Sequence, residues 1–207
     1  FNTAGILDMK YGKDGRLAMA LSDGSVWLDG SSSVISEEGR ILLSLDWGHH
    51  GLALSDDQGR VHLWDAQADA VSLSWTAHSL EAWHCSFNSH LPSLLYTAGD
   101  DGSWAEWDVR TAALCCHRSS RHHLAGVCSV QAQGDTVFTG SYDRNLMQWD
   151  RRNLKGPVST LSFGSGVWRL RWRDDCLLVA AMHDGFHLIN VQLSRLAHYP
   201  TASLAYG

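Results

Sequence analysis

The sequence predicts an all-β fold, a propeller of repeated four-stranded blades, and three observations carry that prediction. Turn-plus-strand segments recur at "LSDGSVWLD" (21–29), "SDDQGRVHLWD" (55–65), "GDDGSWAEWD" (99–108), "GSYDRNLMQWD" (140–150) and "AMHDGFHLIN" (181–190), and their ends are spaced by 36, 43, 42 and 40 residues. A period near 40 with short strands ending in Trp-Asp is the signature of WD-type propeller blades. Ten Trp and nineteen Gly against three Pro suit many short strands joined by tight turns, because Gly supplies positive φ and aromatic rings pack well on a pleated surface. A single blade cannot bury both faces of its small sheet, so neighbours must stack around a central channel.

Five blades are visible in residues 1–207, read as one WD-repeat domain. The first ends "WLDG" without Trp-Asp, which leaves its outer edge open. The second closes on "HLWD". The third, "AHSLEAWHCSFNSHLPSLLYTAGDDGSWAEWD", shows the full grammar: an Ala77-His78 pair, a strand at 82–87, a turn at 88–93, a strand at 94–98, a turn at 100–102 and the Trp-Asp strand end. There His78, Thr97, Asp101 and Trp107 form the expected buried network, with His123, Thr139, Asp143 and Trp149 repeating it in the fourth blade. Such a network satisfies buried polar groups that would each cost ~1–3 kcal/mol if unpaired. The segment "RHHLAGV" (121–127) leaves open whether His122 or His123 is the network residue. Both ends look cut: Phe1 is not an initiator Met, and "PTASLAYG" looks like the start of another strand.

Composition narrows the function classes. At 44% hydrophobic residues the chain can bury a sizeable core, which argues against disorder. A net charge of −6, with no basic run beyond Arg151-Arg152 and Arg171-Trp172-Arg173, argues against direct nucleic-acid binding. No apolar stretch is long enough to cross a bilayer as a helix, so no membrane partner is expected. Five cysteines without a C-x-x-C pair fit a reducing compartment, and a monomer in the cytoplasm is expected.

The candidate chemistry sits in the repeat register. No H-E-x-x-H, G-x-S-x-G or G-x-x-x-x-G-K-S/T pattern occurs. His49-His50 and His122-His123 are adjacent, and neighbours on a strand point to opposite faces, so neither pair shares a metal. The position just before the turn Asp faces the channel end, and blades three to five place Asp100, Tyr142 and His183 there. A carboxylate, a phenol and an imidazole suit general acid–base work if they converge; the alternative is that loop tips are simply polar. A second arc, from the starts of the innermost strands, brings Glu81, Trp83, Trp168 and Arg169 toward the same face. Exposed Trp with acidic neighbours suits a cation; the alternative is core packing. No metal or other cofactor is called for, and a metal site from His183 and Asp100 has no ligand spacing to support it.

The ordered set "GILDMK" (5–10), "LLSLDW" (42–47), "SDDQG" (55–59), "LEAW" (80–83), "YTAGDDG" (96–102), "GVCSV" (126–130), "GSYDRNLMQWDRRN" (140–153), "GVWRLRW" (166–172), "AAMHDGF" (180–186) and "SLAYG" (203–207) resembles the diphthine methylesterase family. The resemblance implies a seven-bladed propeller of the diphthamide pathway, acting on translation elongation factor 2. Its substrate would be a modified histidine carrying a quaternary trimethylammonium and a methyl ester, and its reaction ester hydrolysis. On that expectation His183 is the general base, Asp100 orients or assists it, and Tyr142 or Arg169 stabilises the oxyanion, with Ser141 an alternative nucleophile. The alternative from another class is a non-catalytic scaffold binding a protein or peptide.

Overall fold

In the computed structural model, which describes residues 4–206 apart from 36–39, 50, 66, 112–113 and 120–121, the repeats form five four-stranded antiparallel sheets. Each is a meander in chain order. Blade 1 comprises β1 (Ile6–Tyr11), β2 (Leu17–Leu21), β3 (Ser25–Leu28) and β4 (Ser31–Val34). Blade 2 comprises β5 (Leu42–Trp47), β6 (Gly51–Asp56), β7 (Arg60–Asp65) and β8 (Ala70–Thr76). Blade 3 comprises β9 (His84–Phe87), β10 (Leu94–Ala98), β11 (Trp104–Asp108) and β12 (Leu114–Ser119). Blade 4 comprises β13 (Val127–Gln133), β14 (Thr136–Ser141), β15 (Asn145–Asp150) and β16 (Ser159–Ser162). Blade 5 comprises β17 (Arg169–Arg173), β18 (Cys176–Ala181), β19 (Gly185–Asn190) and β20 (Arg195–Tyr199). The chain is a β-propeller, and no helix among the described residues is long and apolar enough to cross a membrane.

The core lies between the blades. One cluster joins Tyr96, Ala98 and Trp104 of blade 3 to Val127, Val130 and Trp149 of blade 4, and similar clusters fill the gaps between blades 1 and 2, 2 and 3, and 4 and 5. Blade 1 does have its outer edge: Asp29 and Gly30 take positive φ values of 43° and 103°, and Leu28 pairs with Ser31 across them. That is the two-residue turn whose twist matches a hairpin, so an Asp-Gly pair closes the blade without Trp-Asp. The C-terminal tail makes no full strand, but Ala205 forms a single bridge to Met182.

Each polar network is a relay. In blade 4 the Trp149 indole donates to Thr139 Oγ1 at 2.9 Å, and Thr139 meets His123 Nε2 at 2.8 Å. His123 Nδ1 faces Asp143 Oδ2 at 3.0 Å. The order of donors makes Nδ1 the protonated nitrogen, since the threonine hydroxyl, already accepting from Trp149, donates to Nε2. Blade 3 repeats it through Trp107, Thr97, His78 and Asp101. His123 is therefore the network residue; His122 instead packs edge-on against Trp149 and meets Ser119 Oγ at 3.0 Å.

Two outcomes follow. Thr139→Val leaves both the Trp149 indole and His123 Nε2 without partners, and urea denaturation should show a loss of about 2–6 kcal/mol, at ~1–3 kcal/mol per orphaned group. An unchanged midpoint would remove the relay from the account of stability. The Asp143 carboxyl lies at about 2 against an ordinary 3.8: burial pushes it up and is outweighed by hydrogen bonds from His123 and the Leu124 amide. A carboxyl held below its unfolded value adds stability above that value and loses it as pH falls through the folded one. Stability should therefore drain as pH falls from 3.8 toward about 2, and Asp143→Asn should flatten the denaturation curve across that window.

Candidate functional site

The blades bring the starts of their innermost strands together at one end of the channel. A cavity of about 230 Å³ opens there, lined by Leu7 of β1, Leu43 of β5, Trp83 before β9, Trp168 before β17, Arg169 of β17 and Tyr206 of the tail. Trp83 and Trp168 belong to blades 3 and 5, yet their rings meet at 5.5 Å between centroids. Tyr142 of blade 4 and Tyr206 pack against Trp168 edge-on at 5.6 and 5.5 Å. Both tryptophans are half-buried, so they are rim residues rather than core packing.

Main-chain hydrogen bonds set this rim. The Asp100 amide donates to Glu81 O at 2.9 Å and the Tyr142 amide to Gly126 O at 3.0 Å. Each turn is also held by the next chain segment: Val127 N donates to Gly99 O, Val167 N to Ser141 O and Ala205 N to Met182 O, each at 2.9 Å. Asp100 then accepts a hydrogen bond from the Trp83 indole at 3.0 Å. Gly126 lets the turn come close, since a Cβ there would stand 2.3 Å from Asp100 Oδ1.

The two predicted arcs meet in part. Asp100, Tyr142, Trp83, Trp168 and Arg169 form one cluster around the mouth. His183 occupies the equivalent turn position, shown by the Met182–Ala205 bond, but its side chain is exposed and makes no hydrogen bond, ion pair or ring contact with a described residue. Glu81 contributes its carbonyl to the rim, and its carboxylate does not line the cavity. Ser141 is fully buried, donating to Ala125 O and accepting from the Asp143 amide, both at 3.1 Å, so it is a structural serine. Leu7, Leu43 and Tyr206 were not picked out as site residues, although each lies inside a segment that carried the family resemblance.

Arg169 dominates the electrostatics below the rim. It is 9% exposed, and its buried Nη1 has no hydrogen-bond partner among the described residues. Burial pulls its pKa down, against the opposing charge of Asp8. Asp8 takes hydrogen bonds from Ser44 Oγ at 2.9 Å and the Leu45 amide at 3.1 Å, and lies 3.4 Å from Arg171 Nη2. The buried His84 is driven toward its neutral form by desolvation and then by the Arg169 charge. Burial raises the Tyr142 phenol, aided by Cys128, Tyr206 and Asp100, so it is a donor rather than a base at neutral pH. Burial likewise pushes the Cys128 thiol up to about 12, which removes it as a nucleophile. The larger hollow, about 830 Å³ at the far ends of β1, β5 and β9, gathers none of the candidate residues.

No family model matches the chain. "Diphthine methyltransferase" of Homo sapiens is 35% identical over 228 residues, covering 92% of this chain and 50% of that protein. "Diphthine methyltransferase homolog" of Dictyostelium discoideum is 31% identical over 256 residues, covering all of this chain and 69% of that protein. The chain belongs to the diphthine methyltransferase family. It spans about half the length of the human family member. A more distant similarity, 28% over 83% of the chain, is to "WD repeat-containing protein 37" of Homo sapiens. A chain of "Crystal Structure of Mitotic Checkpoint Complex" superposes with a TM-score of 0.82 at 20% identity over 97% of this chain, which establishes the fold. The relatives are named methyltransferases where the sequence resemblance implied a methylesterase; both concern diphthine.

The rim geometry is testable without substrate. Gly126→Ala should push the Asp100 carboxylate off the Trp83 indole and change the near-UV circular dichroism of the tryptophans, with the far-UV spectrum unchanged. Identical near-UV spectra would mean that the Asp100–Trp83 bond does not order the rim.

Proposed function

We propose that this chain forms the substrate mouth of an enzyme of diphthamide biosynthesis that hydrolyses the methyl ester of methylated diphthine on translation elongation factor 2, in the cytoplasm. The carrying observation is the aromatic cluster of Trp83, Trp168, Tyr142 and Tyr206 beside the Asp100 carboxylate. A trimethylammonium has no N–H to donate, so it is recognised by π faces and a nearby negative charge, each Trp contact giving ~0.5–2 kcal/mol. The cavity, about 230 Å³, is below the roughly 300–1,000 Å³ of sites for drug-sized ligands and suits the end of one modified side chain.

Hydrolysis rather than methyl transfer is supported by Arg169. Water adds to the ester carbonyl and loses one proton to a base, the oxyanion collapses, and methoxide leaves as methanol with that proton returned, leaving a carboxylic acid that releases its proton to solvent and becomes the carboxylate. The desolvated guanidinium of Arg169, with Tyr142 as a neutral phenol, suits the oxyanion and then the carboxylate. His183 is the proposed base, on the exposed rim turn, where its side chain must swing from solvent toward the mouth to act, and Asp100 carries the field that holds the cation. A transferase would instead require a methyl donor and release no methanol.

The deciding assay is methanol release from elongation factor 2 carrying methylated diphthine, using the intact protein. Trp168→Ala should raise KM by about 2–30-fold, the equivalent of one cation–π contact. Arg169→Met should lower kcat by roughly 10²–10³-fold, as loss of an oxyanion donor does elsewhere, and His183→Ala by about 10²–10⁴-fold. Full activity in His183→Ala would move the base elsewhere. Substrate binding without methanol would favour the scaffold, and donor-dependent methylation would favour the transferase.

A further inference from the structure

Blade 5 carries a second group of side chains, away from the channel cavity, that the repeat itself does not require. His187 on β19 pairs across the ladder with His198 on β20, and their rings stack at 4.2 Å with planes 3° apart. Asp184, in the turn before β19, brings Oδ2 to 3.2 Å from His187 Nε2 and Oδ1 to 4.0 Å from His198 Nε2. One ligand atom from each of the three fits within 4.8 Å of the others.

Blade 2 shows what the same positions do when they are only structural. There His62 on β7 pairs with Ser74 on β8; Nδ1 meets Ser74 Oγ at 2.8 Å and Nε2 meets Asp56 Oδ2 at 3.1 Å. Both ring nitrogens are used. In blade 5 a second imidazole replaces the hydroxyl, and His187, 1% exposed, has neither ring nitrogen in hydrogen-bond geometry with a described residue. Asp184 Oδ2 stands 3.2 Å from Nε2 without completing a hydrogen bond, and the hydroxyl that blade 2 uses has given way to a second side chain able to ligate a metal.

We propose that Asp184, His187 and His198 bind a divalent transition-metal ion, with zinc the best match. Two imidazoles and one carboxylate are a zinc ligand set that keeps a fourth position open. Tetrahedral zinc with bonds of about 2.0–2.1 Å places ligand atoms roughly 3.3 Å apart, and the exposed His198 must turn its ring out of the stack on His187 so that the two ring planes meet at the ion. In that rotation His198 Nε2 leaves Asp184 O, which it now meets at 2.7 Å, for the metal. The Gly164 amide donates to Asp184 Oδ2 at 2.9 Å and orients the carboxylate, as outer-shell partners do in metal sites. The neighbouring cation, Arg195, lies over the Phe163 ring at 5.0 Å and donates to Ser162 O at 2.7 Å. None of the three lines the channel cavity, although Asp184 directly follows His183 of the rim turn, and the proposal does not depend on the function proposed for the mouth.

The test is titration of the intact, chelator-stripped protein with zinc chloride by calorimetry, and with cobalt(II) by visible absorption. The wild type should take up zinc at this site with a rise in unfolding temperature, and cobalt should show the visible bands of a low-coordinate site. His198→Ser, which copies the blade 2 pair, should fold with an unchanged circular dichroism spectrum and bind zinc at least 100-fold more weakly, beyond the roughly 10–100-fold cost of losing even an outer-shell partner. Asp184→Asn should lose the cobalt bands. Absence of zinc uptake by the wild type, or equal affinity in His198→Ser, would overturn the proposal.

Discussion

A four-stranded blade is apolar on both faces, and nothing within the blade can cover either one. The buried clusters are accordingly assembled from pairs of blades: Trp104 of blade 3 meets Trp149 of blade 4 at 5.1 Å between ring centroids, and Phe138 of blade 4 meets Trp172 of blade 5 at 5.4 Å. Stacking is therefore not an addition to folded units but the condition for their folding. The Trp–Thr–His–Asp relays serve that condition. They carry the polar groups that a strand edge must bury when it is pressed against its neighbour, and they end on a turn carboxylate, Asp101 or Asp143, that fixes the hairpin geometry.

Stacking around an axis also decides where chemistry can sit. Successive innermost strands pack together, so their first residues converge at one end of the channel, and side chains from non-neighbouring blades, such as Trp83 and Trp168, come into contact. The same convergence pulls Asp8 and Arg169 out of water. An isolated buried guanidinium is expensive, and the negative charge of Asp8 offsets part of that cost. The channel interior is thus pre-charged, with a cationic group held ready near an aromatic rim.

Periodicity made the fold legible: five turn-plus-strand segments at near-equal spacing leave little choice of architecture. Equivalent positions in successive blades must share an end, and the structure brings Asp100, Tyr142, Trp83, Trp168 and Arg169 together there. Register alone does not say which way a side chain leaves a turn, which is why His183 holds the right position yet points into solvent, and why Glu81 gives the rim only its carbonyl. Tyr206 lay beyond the last visible repeat and had no register to place it. The choice between His122 and His123 turned on a one-residue shift that only the partner threonine resolves. The Asp184, His187 and His198 group was invisible because its members come from three different elements, a turn and two paired strands, with no motif spacing between them.

The two halves of the mouth answer different problems, and their separation bears on the proposed reaction. A quaternary ammonium is bulky and cannot donate a hydrogen bond, so an aromatic rim with a carboxylate behind it discriminates by shape and field. An ester carbonyl is small and gains charge only as it reacts, so a desolvated guanidinium deeper in the channel interacts most strongly with the transition state. In the proposed reaction the same guanidinium would face a full carboxylate once the ester is cleaved, and product would be held more tightly than substrate. The half-exposed rim, with Tyr142 at 40% and Tyr206 at 46% exposure, then matters for turnover: water can reach the cation, weaken the cage and let the zwitterionic product leave from its outer end first.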